Sequence, residues 1–214
     1  MRQFLRAAGQ TCPGNTAAKL RADLQRIAAL VPTGSKVLDL GCGEGELLAH
    51  LISARRCGGT GVERDSLAVL SAIARGVPVV ELDIDTGLAE FPDDAFDVVV
   101  LSRTLQAVLY PAEVLAQMKR IGRRLIVTMP NFGYWRHRFT LFRGHMPRSK
   151  DLPYEWYDTP NLHHSTLPDL ELLFRRVGLR VEQRVPLSDT GEPLRFSARA
   201  ANLFAGSVIY VLTS

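Results

Sequence analysis

A buried strand, a glycine turn and a helix follow one another between residues 37 and 52, and this junction constrains the fold more than any other stretch. Residues 37–40 form a short, largely apolar run, which is typical of a parallel strand that is covered on both faces. Leucine and isoleucine then recur at helical spacing from residue 47 to residue 52. Glycines at 41, 43 and 45 join the two elements and allow a tight turn close to a ligand. The junction predicts an α/β fold with a nucleotide-type site where the strand ends.

The spacing of these glycines narrows the class of ligand. A dinucleotide fingerprint, G-x-G-x-x-G, needs a glycine where Glu46 stands, whereas the pattern D-x-G-x-G-x-G is complete. The carboxylates of Asp39, Glu44 and Glu46 would repel a pyrophosphate, but they suit a ligand with an amino group and a sulfonium charge. The sequence therefore predicts S-adenosyl-L-methionine, or its product S-adenosyl-L-homocysteine, as the cofactor. The alternative is an ordinary glycine turn.

The stretch resembles motif I of the class I S-adenosylmethionine-dependent methyltransferases. That resemblance implies that the acidic strand residue and the glycines hold the methionine and ribose parts of the cofactor. The candidate cofactor-binding residues of this stretch are Asp39, Gly41, Cys42, Gly43 and Gly45.

Further candidates follow the ends of later strands. Glu63 ends the predicted second strand, and a carboxylate there can accept hydrogen bonds from ribose hydroxyls; the alternative is a surface charge. In the methyltransferase pattern, an acid just after the third strand takes the adenine amino group. Asp83 is preferred for this role, while Asp85 keeps the usual distance to the Phe-Pro pair at 91–92. The candidates from these later strand ends are Glu63, Arg64, Asp83, Ile84 and Ser102.

Strand and helix patterns alternate along the chain until two final strands. This order predicts a Rossmann-like class I methyltransferase fold, an α/β fold with a seven-stranded, mostly parallel sheet, helices on both faces and an antiparallel last strand. We expect a single domain over residues 1–214, with an N-terminal arm at 1–15, a helix capped by Asn15 or Thr16, and an insertion at 130–164. The predicted strands are 37–40, 59–63, 79–82, 96–101, 124–129, 179–185 and 207–212.

Composition bears on the disulfides, metals and cellular compartment that we expect for the protein. The three cysteines are odd in number and lack metal-type spacing, so neither disulfides nor a bound metal is expected. No run of eighteen apolar residues occurs, and the first nine residues lack an apolar signal core. We expect a cytoplasmic protein with no membrane partner.

The insertion is the distinctive part of the sequence. It contains eight of the sixteen aromatic residues, and residues 114–150 carry nine Lys or Arg without an Asp or Glu. Trp135, Phe139 and Phe142 share one helical face, which predicts an amphipathic helix packed on the sheet. The basic zone is a solvated face or a surface for an acidic partner, and nucleic acid is not expected. Residues 152–161 have neither helical nor strand period and predict a binding loop, with partner or substrate contacts from Tyr154, Trp156 and Tyr157.

Catalytic residues cannot be assigned from the sequence. Residues 105–108 lack the Glu-His pair of many small-molecule methyltransferases, and neither an Asn-Pro-Pro-Tyr motif nor a Pro-Cys pair occurs there. His163 and His164 are the remaining candidate bases, and the alternative is that they are polar loop residues.

Four segments together resemble the methionine biosynthesis protein MetW family: DIDTGL at 83–88, LSRTLQA at 101–107, PNFGYWR at 130–136 and LPYEWYDTPN at 152–161. The likeness extends from about residue 20 to 213, although Arg103 replaces a glutamine that we associate with this family. It implies the methyltransferase fold and work with a homoserine O-acyltransferase, which transfers an acetyl or succinyl group, in methionine synthesis. We therefore expect an S-adenosylmethionine-binding protein that supports or regulates this acyltransferase. The alternative is an active methyltransferase on a small molecule or, with less support, RNA.

Overall fold

One seven-stranded sheet organises the protein in the computed structural model, which describes residues 20–150 and 152–214. The strand order is β3-β2-β1-β4-β5-β7-β6, and β7 runs antiparallel to both of its neighbours. The strands are β1 (Lys36–Leu40), β2 (Gly58–Glu63), β3 (Val79–Glu81), β4 (Phe96–Ser102), β5 (Gly122–Pro130), β6 (Arg180–Leu187) and β7 (Ser207–Thr213). The helices are α1 (Ala22–Leu30), α2 (Glu46–Arg55), α3 (Ser66–Ala74), α4 (Ile84–Gly87), α5 (Pro111–Ile121), α6 (Trp135–Phe142), α7 (Leu167–Arg176) and α8 (Ala198–Phe204).

Two hydrophobic layers cover the sheet, one on each face. Successive strand side chains point to opposite faces, so Val98 and Val100 of β4 join one layer while Val99 and Leu101 join the other. Helices α1, α2 and α3 pack on the first face, and α5 and α7 pack on the second. This arrangement confirms the predicted fold class. None of the helices within the described ranges is long and apolar enough to cross a membrane.

The predicted strands all form, with ends that differ by no more than two residues from the expected ones. The sequence did not indicate the four-residue helix α4 or the short helix α8, because neither is long enough to show a periodic pattern. The predicted cap at Asn15 or Thr16 and the N-terminal arm lie outside the described residues.

The predicted orientation of α6 is wrong. The helix forms, but Trp135, Phe139 and Phe142 are 43%, 51% and 88% exposed. His137 is the buried residue of this helix instead, since its Nδ1 lies 3.2 Å from the carbonyl of Asn131 and its ring packs edge-on against Tyr134. A partner for the imidazole allows this polar side chain to face inward. The aromatic stripe of α6 therefore belongs to the surface.

Candidate functional site

A cleft opens at the carboxyl ends of β1 and β4, where the strand order reverses direction. Asp39 of β1 is in register with Val100 of β4 on one side and with Gly61 of β2 on the other. Open α/β sheets bind ligands at this kind of switch point. The cleft has a volume of about 470 Å³. Its lining residues are Arg21, Leu24, Asp39, Gly41, Cys42, Gly43, Glu44, Glu46, Leu47, Ser102, Arg103 and Thr104.

The glycine turn is fixed to β2 and faces the cleft. The N–H groups of Gly41 and Cys42 both donate to the carbonyl of Val62, at 2.8 and 3.0 Å. Gly41 has a φ of +70°, and a Cβ placed on it would lie 2.6 Å from Oγ1 of Thr104. Gly43 has a φ of +53°, and a Cβ placed on it would meet no heavy atom within 4 Å. Glycine is required at Gly41 by close packing, whereas at Gly43 the backbone borders open space.

Glu63 holds this turn through its carboxylate. Its Oε2 accepts a hydrogen bond from the N–H of Gly43 at 2.9 Å. Its Oε1 accepts from the N–H groups of Arg64 at 2.8 Å and Asp65 at 3.0 Å. A carboxylate has about four lone-pair positions, so the described partners leave one on Oε2. Glu63 thus shapes the turn and retains an acceptor position for a ligand hydroxyl.

Asp39 is the most perturbed acid of the cleft. Its side chain is only 3% exposed, and burial followed by repulsion from Glu63 raises the pKa of Asp39 from 3.8 to about 7. Burial disfavours a carboxylate because the anion loses its hydration. A cationic ligand group beside Asp39 would favour the ionised form. The site is therefore suited to a cation at this position.

Cys42 lines the cleft, and its thiol packs against Gly61. A Cβ on Gly61 would lie 2.4 Å from Sγ of Cys42, so the thiol occupies the space that this glycine leaves. Burial, with Asp39 and Glu63 nearby, raises the pKa of Cys42 to about 12. A thiol in this state is a packing group rather than a nucleophile.

The two aspartates after β3 have different partners. Asp85 accepts hydrogen bonds from the N–H groups of Leu109 and Tyr110, the closest at 2.9 Å, and so anchors the turn before α5. Asp83 is exposed and caps α4 by accepting from the N–H of Asp85 at 2.9 Å. Because Asp85 is occupied by backbone, Asp83 stays the better candidate for an adenine contact. Ile84 is half-buried and packs against the core, and Arg64 is exposed.

The structure therefore brings some predicted residues together and leaves others apart. Asp39, Gly41, Cys42, Gly43 and Ser102 line one cleft, while Gly45 caps α2 behind them. Glu63 reaches the cleft through its bond to Gly43. The residues Arg64, Asp83 and Ile84 are not part of this lining.

Sequence reasoning missed the contribution of α1 and the left-handed backbone conformation of Arg103. Arg21 and Leu24 border the cleft from α1 and the residue before it, although they are distant from the glycine turn in sequence. Arg103 has a φ of +56°, and its Nε lies 3.2 Å from the Oδ2 of Asp23. Arg21 lies 3.4 Å from the same carboxylate oxygen. A positive φ is uncommon for a residue other than glycine, and the sequence alone does not reveal it.

The loop at 152–161 has no helix or strand, as predicted, and does not contribute to the described cleft lining. Its aromatic residues are exposed, with Tyr154 at 49%, Trp156 at 69% and Tyr157 at 72%. His164 stacks on Phe132 at 4.8 Å between ring centroids, and burial together with His163 lowers the pKa of His164. Neither histidine lines the cleft.

Similar structures define the class of protein. A methyltransferase from Thermotoga maritima, described as S-adenosylmethionine-dependent and a possible histamine N-methyltransferase, superposes with a TM-score of 0.64 and 19% identity over 90% of this chain and 87% of its own. The cyclase SpnF superposes with a TM-score of 0.64 and 18% identity over 90% of this chain and 81% of its own. The chain therefore has the class I methyltransferase fold, a fold whose members include a protein named for a different reaction.

The particular family follows from the sequence itself. The profile of the family "MetW: Methionine biosynthesis protein MetW" matches residues 21–212, and the chain belongs to this family. A relative from Rhodopirellula baltica, the bifunctional methionine biosynthesis protein MetXA/MetW, is 36% identical over 176 residues. That match covers 78% of this chain and 28% of the relative, so the chain spans little more than a quarter of its length.

Proposed function

We propose that this protein binds S-adenosylmethionine, or S-adenosylhomocysteine, and thereby supports or regulates a homoserine O-acetyl- or O-succinyltransferase in methionine synthesis. The observation that carries the proposal is the buried carboxylate of Asp39 beside the glycine turn that Glu63 holds. This pairing offers an anion for an ammonium group and an acceptor for a hydroxyl within one cleft.

The residues present fit this cofactor. Asp39 and Glu46 at the same cleft favour the positive amino and sulfonium groups, while Glu44 is paired with Arg75 at 2.7 Å. The remaining acceptor position of Glu63 suits a ribose hydroxyl, and the open space beside Gly43 lets a ligand approach the backbone. When bound, S-adenosylmethionine supplies an electrophilic methyl group. The chain's own residues would bind and orient it.

The described cleft favours binding over catalysis. Its lining contains no histidine or tyrosine within the described ranges, and Cys42 is held in its protonated form. Beyond the cleft wall, Leu105 and Gln106 are buried, and neither side chain can accept a proton at neutral pH. Of the carboxylates in the lining, Asp39 and Glu46 are assigned to cofactor binding and Glu44 is paired with Arg75, which leaves no separate general base among the described lining residues. Proximity alone can nevertheless support methyl transfer.

The fused relative supports an acyltransferase partner. Its name joins a MetXA part and a MetW part in one chain. Linking two units raises their effective concentration, which is useful when the units contact one another. Tyr154, Trp156 and Tyr157 provide large, rigid and exposed contact area for such a partner. We assign these three residues to the interface.

Two measurements test the proposal. Calorimetry on the purified protein should detect binding of S-adenosylmethionine or S-adenosylhomocysteine, and Asp39→Asn should weaken it. Acyltransferase activity should rise when this protein is added and should respond to the cofactor. Glu113→Gln, at an exposed position of α5 outside the loop, is a control for the loss of one carboxylate. Failure to bind either compound contradicts the cofactor role, and an unchanged acyltransferase rate contradicts the partner role.

An active methyltransferase remains the second candidate, because the cofactor pattern from Asp39 to Gly45 is complete. Incubation with methyl-labelled S-adenosylmethionine and cell extract separates the two functions. A labelled product that depends on Asp39 would establish methyl transfer, whereas binding without any labelled product would favour regulation.

A further inference from the structure

The segment that follows β4 touches both the cleft and the insertion. Ser102, Arg103 and Thr104 line the cleft. Two residues later, the backbone carbonyl of Gln106 accepts hydrogen bonds from the N–H groups of Leu162 at 2.8 Å and His163 at 3.0 Å. We call residues 102–106 the connector. The connector joins the cleft, where the proposed cofactor would bind, to residues 162 and 163 at the end of the insertion loop.

The connector behaves as one unit at its cleft end. The N–H of Arg103 donates to both the carbonyl and Oγ1 of Thr128, and Oγ1 of Thr104 donates to the carbonyl of Ser102 at 3.1 Å. The side-chain Nε2 of Gln106 donates to the carbonyl of Arg103 at 2.6 Å. Arg103 and Gln106 are therefore joined directly by a hydrogen bond.

The junction between the connector and the loop has unsatisfied polar atoms. Oε1 of Gln106 and Nε2 of His163 are buried and have no hydrogen-bond partner among the described residues. Gln106 itself is 6% exposed, so water does not compensate freely. Buried polar groups normally find partners, and each exception calls for a physical explanation. The junction is therefore the least satisfied part of the path from cleft to loop.

We propose that the connector couples occupancy of the cleft to the conformation of the 152–163 loop, so that cofactor binding changes the surface offered to the partner. A ligand at Ser102, Arg103 and Thr104 displaces the connector, and the bonds from Gln106 to Leu162 and His163 move the loop with it. Coupling of this kind is reciprocal, because the partner must then change cofactor affinity by the same factor. The inference rests on the proposed cofactor binding and adds its regulation.

Leu162 offers a matched pair of variants. Its side chain is 54% exposed, while its N–H makes the bond to Gln106. Leu162→Pro removes this N–H, whereas Leu162→Ala retains it. Gln106→Leu is a second test with similar volume that removes the link to Arg103 and the unsatisfied oxygen. None of these side chains lines the cleft, so each variant should still bind S-adenosylhomocysteine.

The readout is hydrogen exchange of the amides in residues 152–164, with and without S-adenosylhomocysteine. We expect the ligand to change their exchange rates about fivefold or more in the wild type and in Leu162→Ala, in the range of typical coupling. The change should be clearly smaller in Leu162→Pro, which keeps the bond from the N–H of His163, and in Gln106→Leu, which keeps both backbone bonds but loses the link to Arg103. Ligand binding without any wild-type response, or an equal response in all variants, would overturn the coupling while leaving the proposed function intact. No ligand binding at all would overturn the proposed function itself.

Discussion

The carboxylates of Asp39 and Glu63 repel one another across the glycine turn, and this repulsion adds to burial in raising the pKa of Asp39 to about 7. Two acids are thus kept close in a cleft with little hydration. A cation placed between them relieves the repulsion and restores ionisation of Asp39. The repulsion between the two carboxylates destabilises the free protein, and a bound cation would offset it.

Cofactor affinity should therefore depend on pH. Below pH 7 the carboxyl of Asp39 is mostly protonated, and a cationic ligand must first displace the proton. We expect affinity for S-adenosylmethionine to rise roughly tenfold between pH 6 and pH 8, with protons released on binding. Calorimetry in buffers of different ionisation enthalpy measures both effects. Asp39→Asn should bind weakly with little pH dependence, and a flat wild-type profile would contradict the assignment.

The same residue should limit stability. A carboxyl group whose pKa is raised in the folded state contributes stability below its unfolded pKa, and this contribution is lost as pH rises through 7. Asp39→Asn should therefore increase the free energy of unfolding of the free protein at pH 8, by an amount on the order of 2 kcal/mol, and much less at pH 4. Urea unfolding at both pH values tests this. Asp158→Asn, at an exposed site, should show no comparable gain.

Replacement of Glu63 should weaken cofactor binding. Glu63→Ala removes charge-assisted hydrogen bonds worth roughly 1.5–3 kcal/mol, or about ten- to a hundredfold in affinity. Because the same carboxylate holds the N–H of Gly43, the variant should also increase amide exchange at the glycine turn. Thr60→Ala on the same strand serves as a control. Unchanged affinity with a loosened turn would limit Glu63 to a structural role.

Trp156→Ala should reduce affinity for the acyltransferase by about 2 kcal/mol, as expected for an aromatic hot spot that the partner buries on binding. Cofactor affinity should stay nearly constant. Phe196→Ala is a suitable control, because this ring is 48% exposed but lies outside the insertion. Titration of the purified pair provides the measurement. Lost cofactor binding with an intact complex would instead identify the loop as a cofactor lid.

The basic zone should not bind RNA tightly. Although the aromatic residues of α6 are exposed, the arginines beside them have local partners. Arg136 lies 3.0 Å from Asp189 and over the ring of Trp135, Arg143 lies over Phe139, and Arg138 donates to the carbonyl of Gly133. These contacts compete with phosphates and stacked bases. Tight, strongly salt-dependent binding to single-stranded RNA in a filter assay would contradict this prediction.

The sequence predicted those parts of the structure that local patterns specify. The strand before Gly41 is a continuous run and the helix after Gly45 has apolar residues at helical spacing, so the positions of both elements followed directly. The face of α6 could not be predicted in this way, because spacing identifies a stripe but does not say whether it faces the core. The decisive contact, from His137 to Asn131, depends on how the chain folds after β5.

Contributions from distant segments were also beyond the sequence. Arg21 reaches the cleft because α1 packs against α2, and nothing near residue 21 indicates a ligand. The choice between Asp83 and Asp85 depended on backbone donors at Leu109 and Tyr110, more than twenty residues away. Tertiary hydrogen bonds of this kind leave no local pattern.

The position of Cys42 against Gly61 affects how this thiol reacts with oxidants in the cell. Burial and the nearby carboxylates raise the pKa of Cys42, so very little of this thiol is ionised at pH 7, and the thiolate is the form that oxidants and alkylating agents attack. Peroxide or a depleted glutathione pool should therefore leave this cysteine unmodified. The described cleft should therefore keep its shape under oxidising conditions.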